Sequence, residues 1–153
     1  MAATLIAFAA VADEPTLLAP ERAFSFSARG IDPWTVEARF TIADGYYLYR
    51  DKLKFSIEPE ALAGPPVLPP GKVKQDEFFG KVETYRGDVV VRLALSAPAP
   101  GAALNVSAES QGCADLGVCY PPQQQRITLA LPAAGTGAGA VVEAAPAKKS
   151  WFK

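Results

Sequence analysis

Cys113 and Cys119 are the residues of this chain best suited to chemistry, and five residues separate them. Thiols can exchange with disulfides, bind soft metals or close a structural disulfide. Histidine is absent from all 153 residues, so the usual general base near neutral pH and the usual nitrogen ligand for metals are both missing. Thiol chemistry therefore leads, and we expect neither a metal nor another cofactor.

The residues around the two cysteines favour a short disulfide in or beside a loop. The two-residue spacing of thioredoxin motifs is absent, and Pro121 and Pro122 oppose a helix starting at Cys119, so a thioredoxin fold is disfavoured. Gly112 and Gly117 suit a tight excursion that brings two sulfurs within bonding distance. The ordinary interpretation of such a pair is a structural disulfide, or staple. The covalent loop that it would close is so short that it would stabilise the fold by only about 2 to 2.5 kcal/mol. A redox-active pair therefore stays open beside the staple.

Charge and length limit the possible functions. Fifteen basic residues stand against 16 acidic ones, so a net charge of -1 offers no electrostatic footprint, and we expect no binding to nucleic acid. The length suits one domain with tails. We assign residues 1–19 to a signal-peptide remnant or leader, 20–131 to the domain, and 132–153, rich in alanine, glycine and proline, to a flexible linker or tail.

The first twelve residues, MAATLIAFAAVA, form an apolar run too short to span a bilayer. The run ends in the small-residue pattern that signal peptidases cleave, which predicts export. No lysine or arginine precedes Arg22, so the positively charged opening of a signal peptide is missing. A disordered alanine-rich leader therefore remains as the alternative.

The elements that must position the cysteines are predicted to be strands, because the dominant hydrophobic period is two. Two segments alternate most clearly: Trp34, Val36, Ala38, Phe40 and Ile42, and, after a turn at residues 86–88, Val89, Val91, Leu93 and Leu95. Shorter segments of the same kind lie at 24–26, 55–57, 104–108 and 127–131, and no convincing amphipathic helix interrupts them. The pattern predicts an all-β fold, an immunoglobulin-like antiparallel β-sandwich, with a barrel as the alternative.

Three stretches of the sequence resemble the amino-terminal periplasmic domain of DsbD, the bacterial thiol:disulfide interchange protein. They are DGYYLYR at 44–50, DEFFGK at 76–81 with Tyr85 and Arg86 following, and QGCAD at 111–115 continuing to CYPP at 119–122. The stretches occur in the family's order and at close to its spacing, and the resemblance covers roughly residues 20–131.

The resemblance implies an immunoglobulin-like domain that relays reducing equivalents in the periplasm as part of a larger protein tethered to the inner membrane. A thioredoxin-like carboxy-terminal domain of the same protein would reduce this domain. The domain would in turn reduce periplasmic disulfide isomerases and cytochrome c maturation thioredoxins. Cys119 would form the mixed disulfides with partners, and Cys113 would resolve them.

The resemblance also implies a cap loop that shields the sulfurs. It maps onto Asp76, Glu77, Phe78, Phe79 and Gly80, with Phe78 as the aromatic lid, and it places two tyrosines, Tyr47 and Tyr49, beside the site. From the residues alone, the phenylalanines could be core aromatics and the tyrosines ordinary strand residues. A lid would protect a reduced pair from stray oxidants.

Carboxylates near a thiol raise its pKa, so Asp76, Glu77 and Asp115 would oppose formation of a thiolate. We therefore hypothesise that Cys119 is sluggish alone and is activated on docking, with a carboxylate relaying a proton. Two other functions remain open at this point: a passive immunoglobulin-like binding module with a structural disulfide, and a metal carrier that uses the cysteines with a carboxylate.

Overall fold

The computed structural model describes residues 16–59 and 64–144, which contain eleven strands, one short α-helix and a 3-10 helix at Arg50–Lys52. The helix α1 spans Pro20–Ala23. The strands are β1 Phe24–Asp32, β2 Thr35–Ile42, β3 Tyr46–Tyr49, β4 Lys54–Glu58, β5 Lys72–Asp76, β6 Gly80–Tyr85, β7 Asp88–Ala94, β8 Ala103–Ser110, β9 Gly112–Ala114, β10 Gln123–Ala130 and β11 Val142–Glu143. Within these ranges all strands pair antiparallel, which confirms the predicted all-β, immunoglobulin-like class.

Two sheets enclose the main core. One has the order β11-β1-β2-β7 and the other β10-β8-β4. The alternation predicted for β2 and β7 decides which side chains are buried: Val36, Ala38, Phe40, Ile42, Val89, Val91 and Leu93 all point inward. Rings from the two sheets meet in the middle, since Phe55 of β4 lies 6.4 Å from Phe26 and 6.3 Å from Phe40, measured between centroids.

A third sheet, with the order β5-β6-β3-β9, carries the cysteines. All four residues of β3 are buried, because both of its faces are covered. Tyr46 and Leu48 join the main core, whereas Tyr47 and Tyr49 form a separate cluster with Cys113. The period of two in one short strand thus places two tyrosines on the side of the sulfur.

The structure differs from the sequence-based expectations at two places. Trp34 is not part of the buried face of β2: it lies in the turn before that strand and is 48% exposed, and its N–H donates to Asp32. The predicted linker contains β11, which pairs with β1 because its backbone groups can extend that sheet edge. Leu17 and Leu18, at the end of the predicted leader, pack against the core. Residues 1–15, which include the predicted signal-type cleavage pattern, lie outside the described part.

Candidate functional site

A disulfide between Cys113 and Cys119 is the centre of the site, with an S–S distance of 1.99 Å and a Cα–Cα distance of 3.9 Å. Cys113 belongs to β9, where it pairs with Tyr47 of β3, and Cys119 follows the connecting loop. The two sulfurs differ in access, because Cys113 is 0% exposed whereas Cys119 is partly exposed. An incoming thiolate can therefore approach this disulfide from the side of Cys119.

Backbone hydrogen bonds close the loop between the cysteines, residues 115–118. The N–H of Ala114 donates to the carbonyl of Val118 at 2.7 Å, and the N–H of Gly117 donates back to the carbonyl of Ala114 at 3.0 Å. Gly117 has φ +99°, a conformation that side chains disfavour, so a glycine suits this turn. The loop is thus a tight turn that presents Leu116 and Val118 to solvent.

Gly112 is required by close packing rather than by its backbone angles. A Cβ there would lie 2.3 Å from the carbonyl oxygen of Tyr47 and 2.6 Å from the ring of Phe24. The carbonyl of Gly112 accepts from the N–H of Tyr120 at 2.9 Å, and the Tyr120 hydroxyl donates to the carbonyl of Leu18. Burial raises the pKa of Tyr120 to about 12, so this hydroxyl keeps its proton. The residue after Cys119 is therefore anchored on both sides.

Tyr49 connects the sulfurs to a carboxylate. Its hydroxyl oxygen lies 3.1 Å from Sγ of Cys113 and 3.8 Å from Sγ of Cys119, and it donates to Oδ2 of Asp76 at 2.7 Å. Tyr47 donates to the same oxygen at 3.1 Å. Burial and the contact with Asp76 raise the pKa of Tyr49, so it stays a neutral donor throughout the physiological range.

Asp76 is a buried carboxylate with four donors. It is 5% exposed, and Oδ1 accepts from the N–H groups of Phe78 and Phe79 at 2.7 and 3.0 Å, while the two tyrosines bind Oδ2. Burial alone would raise the pKa of Asp76, but these hydrogen bonds outweigh burial and lower it. Asp76 is consequently charged near neutral pH, and it joins the cap loop to the tyrosines beside the sulfurs.

The predicted cap loop is the tight hairpin between β5 and β6, where Asp76 pairs with Gly80 and Gly80 has φ +73°. The ring of Phe79 packs edge-on against Tyr49, with 5.0 Å between centroids. Phe78 is 58% exposed and Glu77 is exposed as well. In this arrangement Phe79 is the phenylalanine that covers Tyr49, while Phe78 presents its ring to solvent.

Three cations complete the surroundings, and sequence reasoning assigned none of them to the site. Nζ of Lys74 lies 3.9 Å from the centroid of the Tyr47 ring, and Nζ of Lys52 lies 5.1 Å from that of Phe79. Arg86 binds both carboxylate oxygens of Asp115, at 2.6 and 3.0 Å. The Arg86 guanidinium lowers the pKa of Asp115, and it offsets the charge that was expected to oppose a thiolate. Arg86 lies within one of the resembling stretches, but its partner becomes visible only in the fold.

The side chains around the two sulfurs suit thiol chemistry, but they do not form an obvious metal site. Among the described side chains, no group of three or more His, Cys, Asp or Glu residues could hold a metal ion. Of the nine predicted site residues, all but Glu77 belong to one connected set of contacts around the sulfurs, and Phe78 joins that set through its backbone N–H, which donates to Asp76. The side chains of Glu77 and Phe78 are exposed at the outer end of the cap loop. Across residues 16–59 and 64–144, no helix has the length and apolar character needed to cross a membrane.

Comparison with known families gives one match over most of the chain. The family described as "Thiol:disulfide interchange protein DsbD, N-terminal" matches residues 14–131. The protein "Thiol:disulfide interchange protein DsbD" of Ralstonia nicotianae is 49% identical over 138 residues, and "Thiol:disulfide interchange protein DsbD 2" of Pseudomonas aeruginosa is 42% identical over 134 residues. These alignments cover 89% and 86% of this chain but only 22% of each relative's length.

Solved structures agree with the sequence comparison. The reduced DsbD amino-terminal domain of Neisseria meningitidis has a TM-score of 0.72 and 32% identity, with 84% of this chain and 96% of that chain covered. A second structure, of the complex between the DsbD and PilB amino-terminal domains of the same organism, has a TM-score of 0.64 and 34% identity, with coverage of 84% and 95%.

Proposed function

This chain belongs to the DsbD amino-terminal domain family, and on that premise we propose that it exchanges a dithiol for a disulfide with thioredoxin-like partners through Cys113 and Cys119. The observation that carries this proposal is the unequal access to the two sulfurs. Cys113 is 0% exposed and Cys119 is partly exposed, so a partner can reach one sulfur and not the other. Cys119 is accordingly the partner-facing sulfur and Cys113 the resolving one.

The exchange moves two electrons in two substitutions at sulfur. A partner thiolate attacks Sγ of Cys119, the S–S bond breaks, and Cys113 leaves as a thiolate that then takes up a proton. The partner's second thiolate attacks its own sulfur in the mixed disulfide and releases Cys119. The domain is then reduced and the partner is oxidised. In the opposite direction, a Cys119 thiolate attacks a partner disulfide, and Cys113 displaces the partner from Cys119.

Tyr49 is suited to stabilise the leaving Cys113 thiolate. Its hydroxyl oxygen lies 3.1 Å from that sulfur, and its raised pKa keeps the hydroxyl protonated. With the sulfurs joined, the O–H donates to Asp76 at 2.7 Å. When Cys113 becomes negative, the same O–H can rotate to donate to it, and Asp76 keeps its three other donors. The cap residues 76–80 would shield this reduced pair.

The same exchange would serve in a longer relay of reducing equivalents. The domain would receive electrons from a thioredoxin-like carboxy-terminal domain of the same protein, and it would pass them to periplasmic disulfide isomerases and cytochrome c maturation thioredoxins. It would act in the periplasm, tethered to the inner membrane. Support comes from the curated relatives named for thiol:disulfide interchange, of which this chain spans 22%, and from the relative that forms a complex with a PilB domain.

A trapping experiment tests the assignment of the two sulfurs. A thioredoxin-fold protein with a single active-site cysteine, activated as a mixed disulfide with thionitrobenzoate, is mixed with Cys113→Ser and with Cys119→Ser. We expect Cys113→Ser to release thionitrobenzoate and form a stable covalent complex. Cys119→Ser should react at least about tenfold more slowly, because its remaining thiol, that of Cys113, is buried. Faster reaction of Cys119→Ser would reverse the assignment.

Redox titration separates a relay from a passive module. The oxidised domain is equilibrated with glutathione buffers and with a dithiol thioredoxin-fold protein. A relay exchanges with both within the range of thioredoxin-like potentials, whereas a structural staple stays oxidised at potentials above roughly −300 mV. Persistence of the disulfide under those conditions would contradict the proposed function.

A further inference from the structure

We propose that Arg86 is a positioning residue for thiol-disulfide exchange. By binding Asp115, it keeps the loop between the cysteines closed in the dithiol form. Cys113 then stays within reach of a mixed disulfide on Cys119. This inference rests on the proposed function of the cysteine pair, and it adds a residue to which the sequence comparison assigns no role.

Arg86 joins two parts of the site, the loop residue Asp115 and strand β3. Its Nη1 and Nη2 bind the two carboxylate oxygens of Asp115 at 3.0 and 2.6 Å, and Nη1 also donates to the carbonyl of Tyr46 at 3.2 Å. Its guanidinium carbon lies 5.4 Å from the centroid of the Tyr47 ring. A planar fork with two carboxylate contacts fixes direction as well as distance. Arg86 therefore holds the start of the loop against β3.

The loop has few other attachments. The N–H of Asp115 donates to the carbonyl of Gly45 at 2.8 Å, and two short turn hydrogen bonds involve Ala114, Gly117 and Val118. Leu116 and Val118 are 60% and 43% exposed, so their side chains add little packing. In the oxidised domain the S–S bond closes the loop covalently. In the dithiol form noncovalent contacts must keep the two sulfurs together, among them the hydrogen bond from the N–H of Tyr120 to the carbonyl of Gly112 after the loop and the ion pair between Arg86 and Asp115 at its start.

Loss of Arg86 should affect the dithiol form of the domain more than the disulfide form. Without Arg86 the oxidised loop gains little freedom, because the disulfide still closes it. The reduced loop gains more freedom, which lowers the effective concentration of Cys113 near Cys119. Resolution of a mixed disulfide on Cys119 should therefore become slower, and the intramolecular disulfide should become less favoured.

The expected size of the effect follows from the solvent exposure of the ion pair between Arg86 and Asp115. The side chains of Arg86 and Asp115 are 48% and 47% exposed, so screening by water limits their pair to the modest range of surface ion pairs. We expect loss of the pair to slow resolution by about threefold and to shift the dithiol-disulfide equilibrium toward the dithiol by about threefold. That equilibrium shift corresponds to a reduction potential about 14 mV less negative.

The experiment compares Arg86→Gln, Asp115→Asn and the double variant, with Arg29→Gln as the matched control. Arg29 forms an ion pair with Glu37, at 3.1 Å, across β1 and β2, in a different sheet from the cysteines. A stopped-flow assay with the thionitrobenzoate-activated single-cysteine partner follows formation of the mixed disulfide and then its resolution by Cys113. Equilibration with glutathione measures the potential, and urea unfolding measures stability.

We expect both single variants to slow resolution by about threefold, the double variant to add little, and high salt to reduce the difference from the wild type. Arg29→Gln should leave resolution and potential unchanged. The inference is overturned if both single variants resolve as fast as the wild type, or if their effects add fully. If one variant fails to fold, the other still decides. Failure of the wild type to form a mixed disulfide would instead refute the proposed function.

Discussion

Replacement of Asp76 by asparagine should weaken the fold and at the same time reveal what holds the cap loop. The carboxylate is 5% exposed and accepts four hydrogen bonds, two from backbone N–H groups of the cap and two from tyrosine hydroxyls. Asparagine has one oxygen that can still accept from the backbone. Its amide nitrogen donates, so it cannot accept from Tyr47 and Tyr49.

The magnitude follows from the bonds lost. Two hydrogen bonds to a charged group are worth about 1.5 to 3 kcal/mol each, and new donation from the amide to a tyrosine oxygen recovers part of that energy. We expect Asp76→Asn to lower the free energy of unfolding of the oxidised domain by about 2 to 4 kcal/mol at pH 7. That is a large share of the total for a domain of this size.

The stability lost in Asp76→Asn should also depend on pH, and the direction of that dependence follows from the pKa of Asp76. Folding lowers the pKa of Asp76, so its contribution to stability is present above the unfolded value of about 3.9 and is lost as pH falls through the lower folded value. The difference between wild type and Asp76→Asn should be constant from pH 7 to about pH 5, and it should narrow steadily below about pH 4.

Urea unfolding of the oxidised proteins between pH 7 and pH 2 measures this difference. Glu77→Gln is the matched control, since it removes the neighbouring exposed carboxylate, and its effect should stay within about 0.5 kcal/mol. A loss below about 0.5 kcal/mol for Asp76→Asn at pH 7, or a loss that stays the same at every pH, would refute the reasoning from the charged acceptor.

Three further outcomes are expected. Tyr49→Phe removes the donor that lies 3.1 Å from Sγ of Cys113, and it also removes one of the four hydrogen bonds to Asp76. We expect displacement of that sulfur by a partner thiolate to slow by about tenfold, measured by stopped flow under conditions where the variant is folded; an unchanged rate would exclude the hydroxyl from this step. Gly112→Ala places a Cβ 2.6 Å from the ring of Phe24, so the melting temperature should fall by several degrees; a stable variant would mean that the strands can separate there. Phe79→Ala should destabilise the oxidised domain by about 1 to 2 kcal/mol, because it loses the contact with Tyr49. Phe78 is 58% exposed, so Phe78→Ala should change stability by less than about 0.5 kcal/mol. Equal losses of the two variants in urea unfolding would contradict this packing.

Much of the fold could be predicted because alternation acts locally. The inward residues of β2 and β7 repeat every second position, and the turn at 86–88 separates β7 from the strand before it. The prediction was wrong for Trp34, because an apolar residue next to a strand extends the pattern even when the chain has already turned. It missed β11, because two residues that only extend a sheet edge have no period of their own.

The residues of the candidate site could be named from the sequence, but the contacts among them could not. Its cysteines, tyrosines and cap loop are contiguous motifs, so the resemblance could name them one by one. Their connection through Asp76 joins residues 27 and 29 positions apart, and no spacing rule gives a hydrogen bond at that separation. The same holds for Arg86 and Asp115, whose pairing also changed the expected electrostatics of the sulfurs.

The amino-acid sequence alone determined the chemistry that this chain can perform, since a chain with two cysteines and no histidine has few other reactive groups, and its period of two determined the β class. The tertiary structure decided which sulfur is buried, which phenylalanine covers Tyr49, and which carboxylate is neutralised. The physical reason is that side-chain identity and local period are properties of neighbours along the chain. Burial, pKa and access arise from groups that only folding brings together.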